Sequence, residues 1–227
     1  MVYEQRMKAN LYNAALIVAA GSGKRAGQDV PKQYAHIKGH PMLRYSALSF
    51  LQHDNIDSIY VVIGAGQEEQ AKQALDDVKI NGYIIGGETR QQSVLNGLAY
   101  ISKNSHPDNI LVHDAARPFL KHDVIDRILI SLRSNIAAIP IMPISDSIAY
   151  IDDNMMRAPA DRDKLGRVQT PQGFHFEPLF AAHKAVSKSD YGDDAQIMHA
   201  SGHDVSTITG DEALYKYTYE DDFRSSF

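Results

Sequence analysis

The chain lacks cysteine altogether among its 227 residues. Without cysteine there is no disulfide, no thiolate metal site and no cysteine nucleophile, and a reducing compartment suits the sequence. No stretch approaches the roughly 18–20 consecutive apolar residues of a membrane span. Residues 1–13 also lack the apolar run of a signal peptide. We therefore expect a cytoplasmic protein with no membrane partner.

An excess of positive charge is missing as well. Lys and Arg number 23 against 28 Asp and Glu, which gives a formal net charge of −5. This balance argues against nucleic acid as the main partner, so any anionic ligand must be held by a local cluster of basic groups. Hydrophobic residues make up 44% and charged ones 22%, which is near the globular average and predicts a packed core. The length fits one α/β domain.

Short β-rich runs alternate along the chain with segments of helical period. Residues 14–19 (Ala-Ala-Leu-Ile-Val-Ala) form the continuous apolar run of a strand buried on both faces. Further strands are predicted at 58–63, 83–85, 110–113, 137–141 and 205–208, and helices at 41–51, 67–76, 94–101, 123–132, 178–186, 193–200 and the carboxyl terminus. The alternation predicts a Rossmann-like, mostly parallel sheet flanked by helices. Ligands in such folds bind beyond the carboxyl ends of the strands.

The alternation breaks between residues 145 and 166. Two strand-like runs, 147–151 and 155–158, flank the turn sequence Asp-Asp-Asn. We expect a β-hairpin that projects from the sheet. Because an isolated two-stranded hairpin is marginally stable in water, it should pack on another surface, and a second subunit is a candidate.

A glycine-rich loop, residues 19–25 (Ala-Ala-Gly-Ser-Gly-Lys-Arg), directly follows the first predicted strand. Glycines let a backbone turn tightly and aim successive N–H groups at an anion. Arg25 and Lys32 add cations nearby. No Gly-Lys-Ser/Thr closes a Walker A loop, and Ala26 stands where Gly-x-Gly-x-x-Gly needs its third glycine. Taken alone, the loop is also compatible with an ordinary βα turn that carries solvated basic side chains.

Two further motifs follow later strands. Residues 113–118 (His-Asp-Ala-Ala-Arg-Pro) place Asp114 at a strand end, where a carboxylate is suited to hold Mg²⁺. Residues 86–93 (Gly-Gly-Glu-Thr-Arg-Gln-Gln-Ser) offer main-chain groups and a serine that could read a base edge and a ribose. Taken singly, a helix-capping aspartate and a threonine-capped helix start explain these two motifs as well.

In order along the chain, these motifs resemble those of the methylerythritol phosphate cytidylyltransferases. The shared series is Ala-Ala-Gly-x-Gly-x-Arg, Pro-Lys-Gln-Tyr, Gly-Gly-x-x-Arg-x-x-Ser, Val-His-Asp-Ala-Ala-Arg-Pro-Phe and Gln-Thr-Pro-Gln-Gly-Phe. The resemblance runs from about residue 14 to residue 222. It implies a single nucleotidyltransferase domain over residues 1–227, with a dimerisation arm at about 145–166. It also implies that CMP passes from CTP to 2-C-methyl-D-erythritol 4-phosphate with Mg²⁺, in non-mevalonate isoprenoid precursor biosynthesis.

The resemblance also implies roles for individual residues. The catalytic cations would be Arg25, Lys32 and Lys216. Nucleotide contacts would fall on Ala19, Ala20, Gly21, Ser22, Gly23, Gly87, Glu88, Ser93, Asp114 and Ala115. Asp114 would also position the metal. The polyol phosphate would meet Arg117, Ser147, Arg162 and Thr170, of which Ser147 and Arg162 would come from the arm of the neighbouring subunit in a homodimer.

The chain departs from the family pattern in three places. Ser147 stands where threonine is common, and it keeps the hydroxyl. Gly192 stands where threonine is frequent, and it has no side chain for a contact with the substrate. Leu214 and Tyr215 replace smaller or polar residues before Lys216.

Two other functions stay open. A ribitol 5-phosphate cytidylyltransferase would share the loop, lysine and aspartate motifs, although such relatives tend to carry a bulkier residue where Ala116 stands. A non-catalytic nucleotide-binding module could use the same fold, but such a module does not need Arg25, Lys32, Asp114 and Lys216 together.

The ten histidines do not form the His-Glu-x-x-His pattern of a zinc site. His113, next to Asp114, is expected to pack rather than bind a metal. His183, His199 and His203 are expected on solvated helix faces or turns.

Overall fold

The computed structural model describes residues 11–21, 31–186, 191–218 and 222. Its strands are β1 (Asn13–Ala19), β2 (His36–Ile37), β3 (His40–Pro41), β4 (Ser58–Ile63), β5 (Gly82–Ile85), β6 (Asn109–Asp114), β7 (Ala137–Pro143), β8 (Ala149–Asp152), β9 (Met155–Pro159), β10 (Gly166–Val168), β11 (Gln172–His175) and β12 (Ser206–Thr209). Its α-helices are α1 (Met42–Leu51), α2 (Glu68–Ala74), α3 (Arg90–Asn104), α4 (His122–Ser131), α5 (Phe176–Ala185) and α6 (Asp194–Ala200). Short 3-10 helices lie at Lys32–Tyr34, Arg162–Lys164 and Glu212–Leu214. Within these residues, no helix is both long and apolar enough to cross a membrane.

The central sheet has the strand order β10-β7-β11-β6-β1-β4-β5, and β12 also pairs with β7. β1 is parallel to both β4 and β6, and β5 is parallel to β4. The predicted mostly parallel sheet is therefore confirmed. β10 and β11 pair antiparallel to their neighbours. The sequence does not predict β11, because Gln-Gly-Phe-His lacks a run of β-branched residues. This segment becomes a strand through its pairing with β6 and β7.

The two faces of β1 explain its continuous apolar sequence. Successive side chains of a strand point to opposite faces of the sheet. Ala15 and Ile17 lie in a core with residues of α1, α2 and α4. Ala14 and Leu16 lie in the core formed with α3, α5 and α6. With helices on both faces, polar groups can meet at the carboxyl edge of the strands, where the predicted motifs lie.

The hairpin predicted around residues 147–158 is present as β8 and β9, which pair in a separate two-stranded sheet. Asp153 and Asn154 have φ values of 48° and 59°. A type I′ turn needs positive φ at both central residues, and Asp and Asn tolerate it. The hairpin exposes large apolar side chains, with exposed fractions between 60% and 73%, at Tyr150, Ile151, Met155 and Met156. A patch of this kind is characteristic of a protein contact surface.

Candidate active site

A cavity of about 680 Å³ opens at the carboxyl ends of β1 and β6. The loop before α3, together with Lys216 and Thr218, forms a further part of its wall. The predicted site residues that line it are Ala19, Ala20, Gly21, Lys32, Gly87, Glu88, Ser93, Asp114, Ala115 and Lys216. Motifs far apart in sequence thus meet at the sheet edge where parallel α/β folds bind ligands.

Other predicted site residues lie elsewhere. Ser22, Gly23 and Arg25 fall outside the described residues. Thr170 is buried beside the cavity, where its hydroxyl oxygen accepts a hydrogen bond from the Asp114 N–H at 3.1 Å. Ser147 and Arg162 are exposed residues of the hairpin region and are not among the described residues that line this cavity. A single copy of the chain therefore does not bring these two side chains into the described lining of this cavity.

The loop between β5 and α3 forms a tightly packed cradle. Thr89 caps α3 with its side chain. The Ser93 hydroxyl donates to the Thr89 carbonyl at 2.9 Å and accepts from the Gly87 N–H at 3.1 Å. A Cβ on Gly86 would lie 2.5 Å from the Ala20 Cβ, so only glycine allows this loop to approach the end of β1. Helix capping and a role in ligand binding are therefore compatible here.

The Gln33 side chain holds the start of the glycine-rich loop in place by hydrogen bonds. The sequence motifs do not assign this role to Gln33. Its buried side-chain amide donates to the carbonyls of Ala19 at 2.7 Å and Gly21 at 3.0 Å. The adjacent Lys32 lines the cavity and donates from Nζ to the Tyr217 carbonyl at 3.0 Å. Residues 32 and 33 thus connect the start of the glycine-rich loop to the part of the cavity wall where the Lys32 side chain lies.

The Asp114 carboxylate is the negative centre of the site. Its Oδ1 atom accepts from Arg90 Nε at 3.0 Å, and its Oδ2 atom accepts from Lys216 Nζ at 2.6 Å. Burial alone would raise the pKa of Asp114, but Arg90 and Lys216 reverse this and hold that pKa well below its usual range. Asp114 is therefore ionised at neutral pH.

Arg90 also binds a second carboxylate, which the sequence motifs do not single out. Its Nη2 atom lies 2.9 Å from Asp194 Oδ2. The other oxygen of Asp194 lies 3.0 Å from His183 Nε2, and the side chains of both His183 and Asp194 are fully buried. The solvated helix face predicted for His183 is therefore wrong, because α5 packs against α6 and covers the ring. The sequence signal that points to this pair is the arginine of the Gly-Gly-x-x-Arg-x-x-Ser motif.

Arg117 makes protein contacts in this structure. Its Nη1 atom donates to the Leu214 carbonyl at 2.6 Å, and its Nη2 atom donates to the Val168 carbonyl at 3.3 Å. Burial lowers the pKa of Arg117 from its ordinary value. Arg117 therefore ties the segment that carries Lys216 to the end of β10.

A sequence profile of the 2-C-methyl-D-erythritol 4-phosphate cytidylyltransferases matches residues 13–226. The chain belongs to this family. It is 46% identical over 211 residues to the bifunctional enzyme IspD/IspF of Erythrobacter litoralis, covering 92% of this chain and 54% of that protein. It is 34% identical over 210 residues to the 2-C-methyl-D-erythritol 4-phosphate cytidylyltransferase of Thermotoga neapolitana, covering 92% and 93%. The chain thus spans about half the length of the bifunctional relatives and nearly all of the other.

The fold is similar to solved structures of the same family. The 4-diphosphocytidyl-2C-methyl-D-erythritol synthase from Anaerococcus prevotii superposes with a TM-score of 0.83 at 28% identity, covering 96% of this chain and 95% of that one. The 2-C-methyl-D-erythritol 4-phosphate cytidylyltransferase from Thermus thermophilus superposes with a TM-score of 0.75 at 26% identity, covering 95% and 97%. Sequence and structure therefore agree on the family.

The His113 side chain packs inside the protein and contacts the backbone of the family's Val-His-Asp-Ala-Ala-Arg motif, in agreement with the packing role predicted for it. The ring is fully buried, and Nε2 lies 3.0 Å from the Arg117 carbonyl. The Thr170 hydroxyl, which accepts from the Asp114 N–H, lies 3.2 Å from Nδ1 and can donate to it. These partners assign a neutral ring that is protonated on Nε2. Burial lowers the pKa of His113 to about 4.

We expect the free energy of unfolding to fall on mild acidification because of His113. The unfolded chain binds the proton below a pKa of about 6.5, whereas the folded ring resists it until about 4. The contribution of His113 is therefore complete above about pH 6.5 and is lost as the pH falls toward 4, by about 2 to 3 kcal/mol between pH 7.5 and 4.5. Urea titrations of the metal-free protein measure it.

The matched variants for this test are His113→Gln and His199→Gln, the latter at an exposed position of α6. His113→Gln should lose stability at pH 7.5 and show a smaller fall between the two pH values than the unaltered protein. His199→Gln should keep the full fall. An unchanged pH dependence in His113→Gln would show that other groups cause it.

Proposed function

We propose that this chain transfers CMP from CTP to 2-C-methyl-D-erythritol 4-phosphate and releases pyrophosphate. The observation that carries the proposal is the cavity itself, which gathers the described start of the glycine-rich loop (residues 19–21), Lys32, Lys216 and the Asp114 carboxylate at one sheet edge. The family match over residues 13–226 supports the same reaction. The absence of cysteine suits a reducing cytoplasm, where we place this activity.

The chemistry requires fixed charge rather than a strong base. An oxygen of the acceptor's phosphate attacks the α-phosphorus of CTP, the new P–O bond forms, and the bond to the bridging oxygen breaks as pyrophosphate leaves. The nucleophile is already an anion, so the obstacle is the approach of two polyanions and the charge that builds on the leaving group. Cations held in place before reaction lower that barrier. Lys32 and Lys216, together with Arg25 outside the described residues, are the proposed cations.

Asp114 is the proposed ligand for Mg²⁺. The described residues contain no group of three or more His, Cys, Asp or Glu that could hold a metal by themselves. Such a set is not required, because Mg²⁺ is commonly bound through one or two carboxylates plus substrate phosphates. When bound, the ion would neutralise charge on the triphosphate. In this structure Lys216, whose side chain is 41% exposed, donates to Asp114 Oδ2. When Mg²⁺ binds Asp114, the Lys216 ammonium would turn toward the phosphates.

The remaining contacts follow the walls of the cavity. The backbone of Ala19, Ala20 and Gly21 would meet the triphosphate together with Ser22 and Gly23, and Ala115 would lie beside it. Gly87, Glu88 and Ser93 would meet cytosine and ribose. Arg117 and Thr170, now bonded to protein groups, would contribute to the polyol phosphate side of the site.

We propose a homodimer in which the exposed apolar side chains of the hairpin pack against the neighbouring subunit. Tyr150, Ile151, Met155 and Met156 are the side chains that such a contact would bury. Ser147 and Arg162 of one copy would then complete the polyol phosphate site of the other. This arrangement accounts for their absence from the described lining of the cavity in their own chain.

The test is pyrophosphate release from CTP and Mg²⁺ with three acceptor conditions. We expect release with 2-C-methyl-D-erythritol 4-phosphate and only background release with ribitol 5-phosphate or without acceptor. Release chiefly with ribitol 5-phosphate would keep the chemistry and change the substrate. If neither acceptor gives pyrophosphate release although the protein still binds CTP by calorimetry, the enzymatic proposal is overturned in favour of a binding module.

Arg162→Ala should weaken the polyol phosphate more than the nucleotide. Loss of one charge-assisted contact corresponds to a rise of about 10-fold or more in the KM of the acceptor, while the KM of CTP should stay within about twofold. Steady-state kinetics with each substrate varied in turn measures both. The matched control is Arg157→Ala, an exposed arginine of the same hairpin paired with Asp152. Equal losses in both variants, or for both substrates, would indicate damage to the hairpin instead.

A further inference from the structure

We propose that Asp194 is a positioning residue for the transfer reaction, acting on Asp114 through Arg90. The inference rests on the proposed function, because it assumes that the Asp114 carboxylate serves the reaction. Asp194 is absent from the cavity lining and its side chain is fully buried, so within the described structure it has no direct access to substrate. Its effect must pass through the guanidinium that it shares with Asp114.

Arg90 is held between two carboxylates. Nε lies 3.0 Å from Asp114 Oδ1, and Nη2 lies 2.9 Å from Asp194 Oδ2. A guanidinium is planar, and the two ion pairs fall on different nitrogens of it, so together they restrict how the group can turn. The hydrogen bond from Nε then orients the Asp114 oxygen that accepts it.

Asp194 is itself anchored on the protein side. It is the first residue of α6, and its Oδ1 atom lies 3.0 Å from His183 Nε2 on α5. The next N–H in the helix, that of Ala195, donates to the Gln172 side chain at 3.0 Å. α5 therefore contacts the carboxylate directly, and β11 holds the start of the helix that carries it, so that Asp194 supports Arg90 from the protein side.

The charges of this group agree with a support role. Burial alone would lower the pKa of Arg90, but Asp194 and Asp114 more than offset this and raise it above its usual range. The Arg90 guanidinium thus stays charged between two ionised carboxylates, and Lys216 balances the charge of Asp114. Partners behind a metal-binding carboxylate orient it, and their loss commonly costs about 10- to 100-fold in metal affinity or activity.

The test is a double-mutant cycle between Asp194→Asn and Asp114→Asn. Asparagine keeps the shape at both positions and removes the charge. Three quantities are measured for each protein: turnover at saturating substrates, the Mg²⁺ concentration for half-maximal activity, and the calorimetric affinity for CTP with Mg²⁺. We expect Asp194→Asn alone to lower turnover and to raise the Mg²⁺ concentration for half-maximal activity by about tenfold each. In the Asp114→Asn background it should cost at most about twofold more, because its effect runs through Asp114.

A purely structural role for Asp194 predicts a different outcome, namely the same loss in both backgrounds. That result would overturn the proposal. Asp77→Asn is the matched control, since it removes an exposed Arg44–Asp77 pair at 2.7 Å and should leave all readouts unchanged. If Asp114→Asn itself has normal turnover and CTP affinity, both the role of Asp114 and the proposed action of Asp194 fail. Transfer by the unaltered protein tests the reaction separately.

Arg90→Lys gives a second route if Asp194→Asn fails to fold, as judged by circular dichroism and thermal unfolding. Lysine keeps the positive charge but lacks the fork that bridges two carboxylates. We expect the same rise in Mg²⁺ requirement with a smaller loss of stability. Normal turnover and Mg²⁺ requirement in folded Arg90→Lys would overturn the proposal.

Discussion

Asp114→Asn should lower turnover with CTP by about a thousandfold, which is at the upper end of the loss for one preorganised charged group. Asparagine preserves the shape of the side chain and the backbone bond to Thr170. It removes the negative charge between Arg90 and Lys216, so two cations are left facing each other across a neutral amide. It also removes the proposed metal ligand. Turnover measured by pyrophosphate release at increasing Mg²⁺ is the appropriate assay.

Asp123→Asn is the control for this loss. Asp123 forms an Arg–Asp pair with Arg127 at 2.9 Å on the exposed side of α4, so the variant removes an aspartate charge away from the cavity. Its turnover should match that of the unaltered protein. If Asp114→Asn keeps turnover within about tenfold at saturating Mg²⁺, the loss is too small for a charge at the reacting phosphates. The metal would then be held elsewhere.

Lys32→Ala should lower turnover by about a hundredfold or more while the fold survives. Lys32 lines the cavity, and its ammonium is held at 3.0 Å from the Tyr217 carbonyl. Truncation removes that charge from the site. The neighbouring Gln33 keeps the segment in place through its bonds to the loop carbonyls, and Tyr34 is buried against the core.

Steady-state kinetics separates two roles for Lys32. A fall in kcat with little change in the KM of CTP indicates charge stabilisation that develops in the transition state. A rise in KM at unchanged kcat would place Lys32 in nucleotide binding and remove it from the catalytic cations. Lys72→Ala, at an exposed lysine of α2 that pairs with Glu69, is the matched control and should be neutral.

The sequence by itself determined the features that depend on local pattern. The apolar run of β1 specifies a strand covered on both faces, because only such a strand tolerates apolar residues at every position. The Asp-Asp-Asn turn specifies the hairpin, because two adjacent residues must adopt positive φ. Glycines after β1 and β5, and Asp114 at the end of β6, locate the site, because carboxyl ends of parallel strands share one edge.

Only the tertiary structure decided which polar groups meet. The Gly-Gly-x-x-Arg-x-x-Ser motif contains Arg90, yet nothing in its spacing indicates that the partner on its far side is Asp194. His183 has the helical context of a solvated residue, and it is buried because α5 packs on α6. β11 becomes a strand through pairing with β6 and β7. In each case, contacts between distant segments override the local pattern, since burial and ion pairing depend on packing geometry that sequence spacing does not encode.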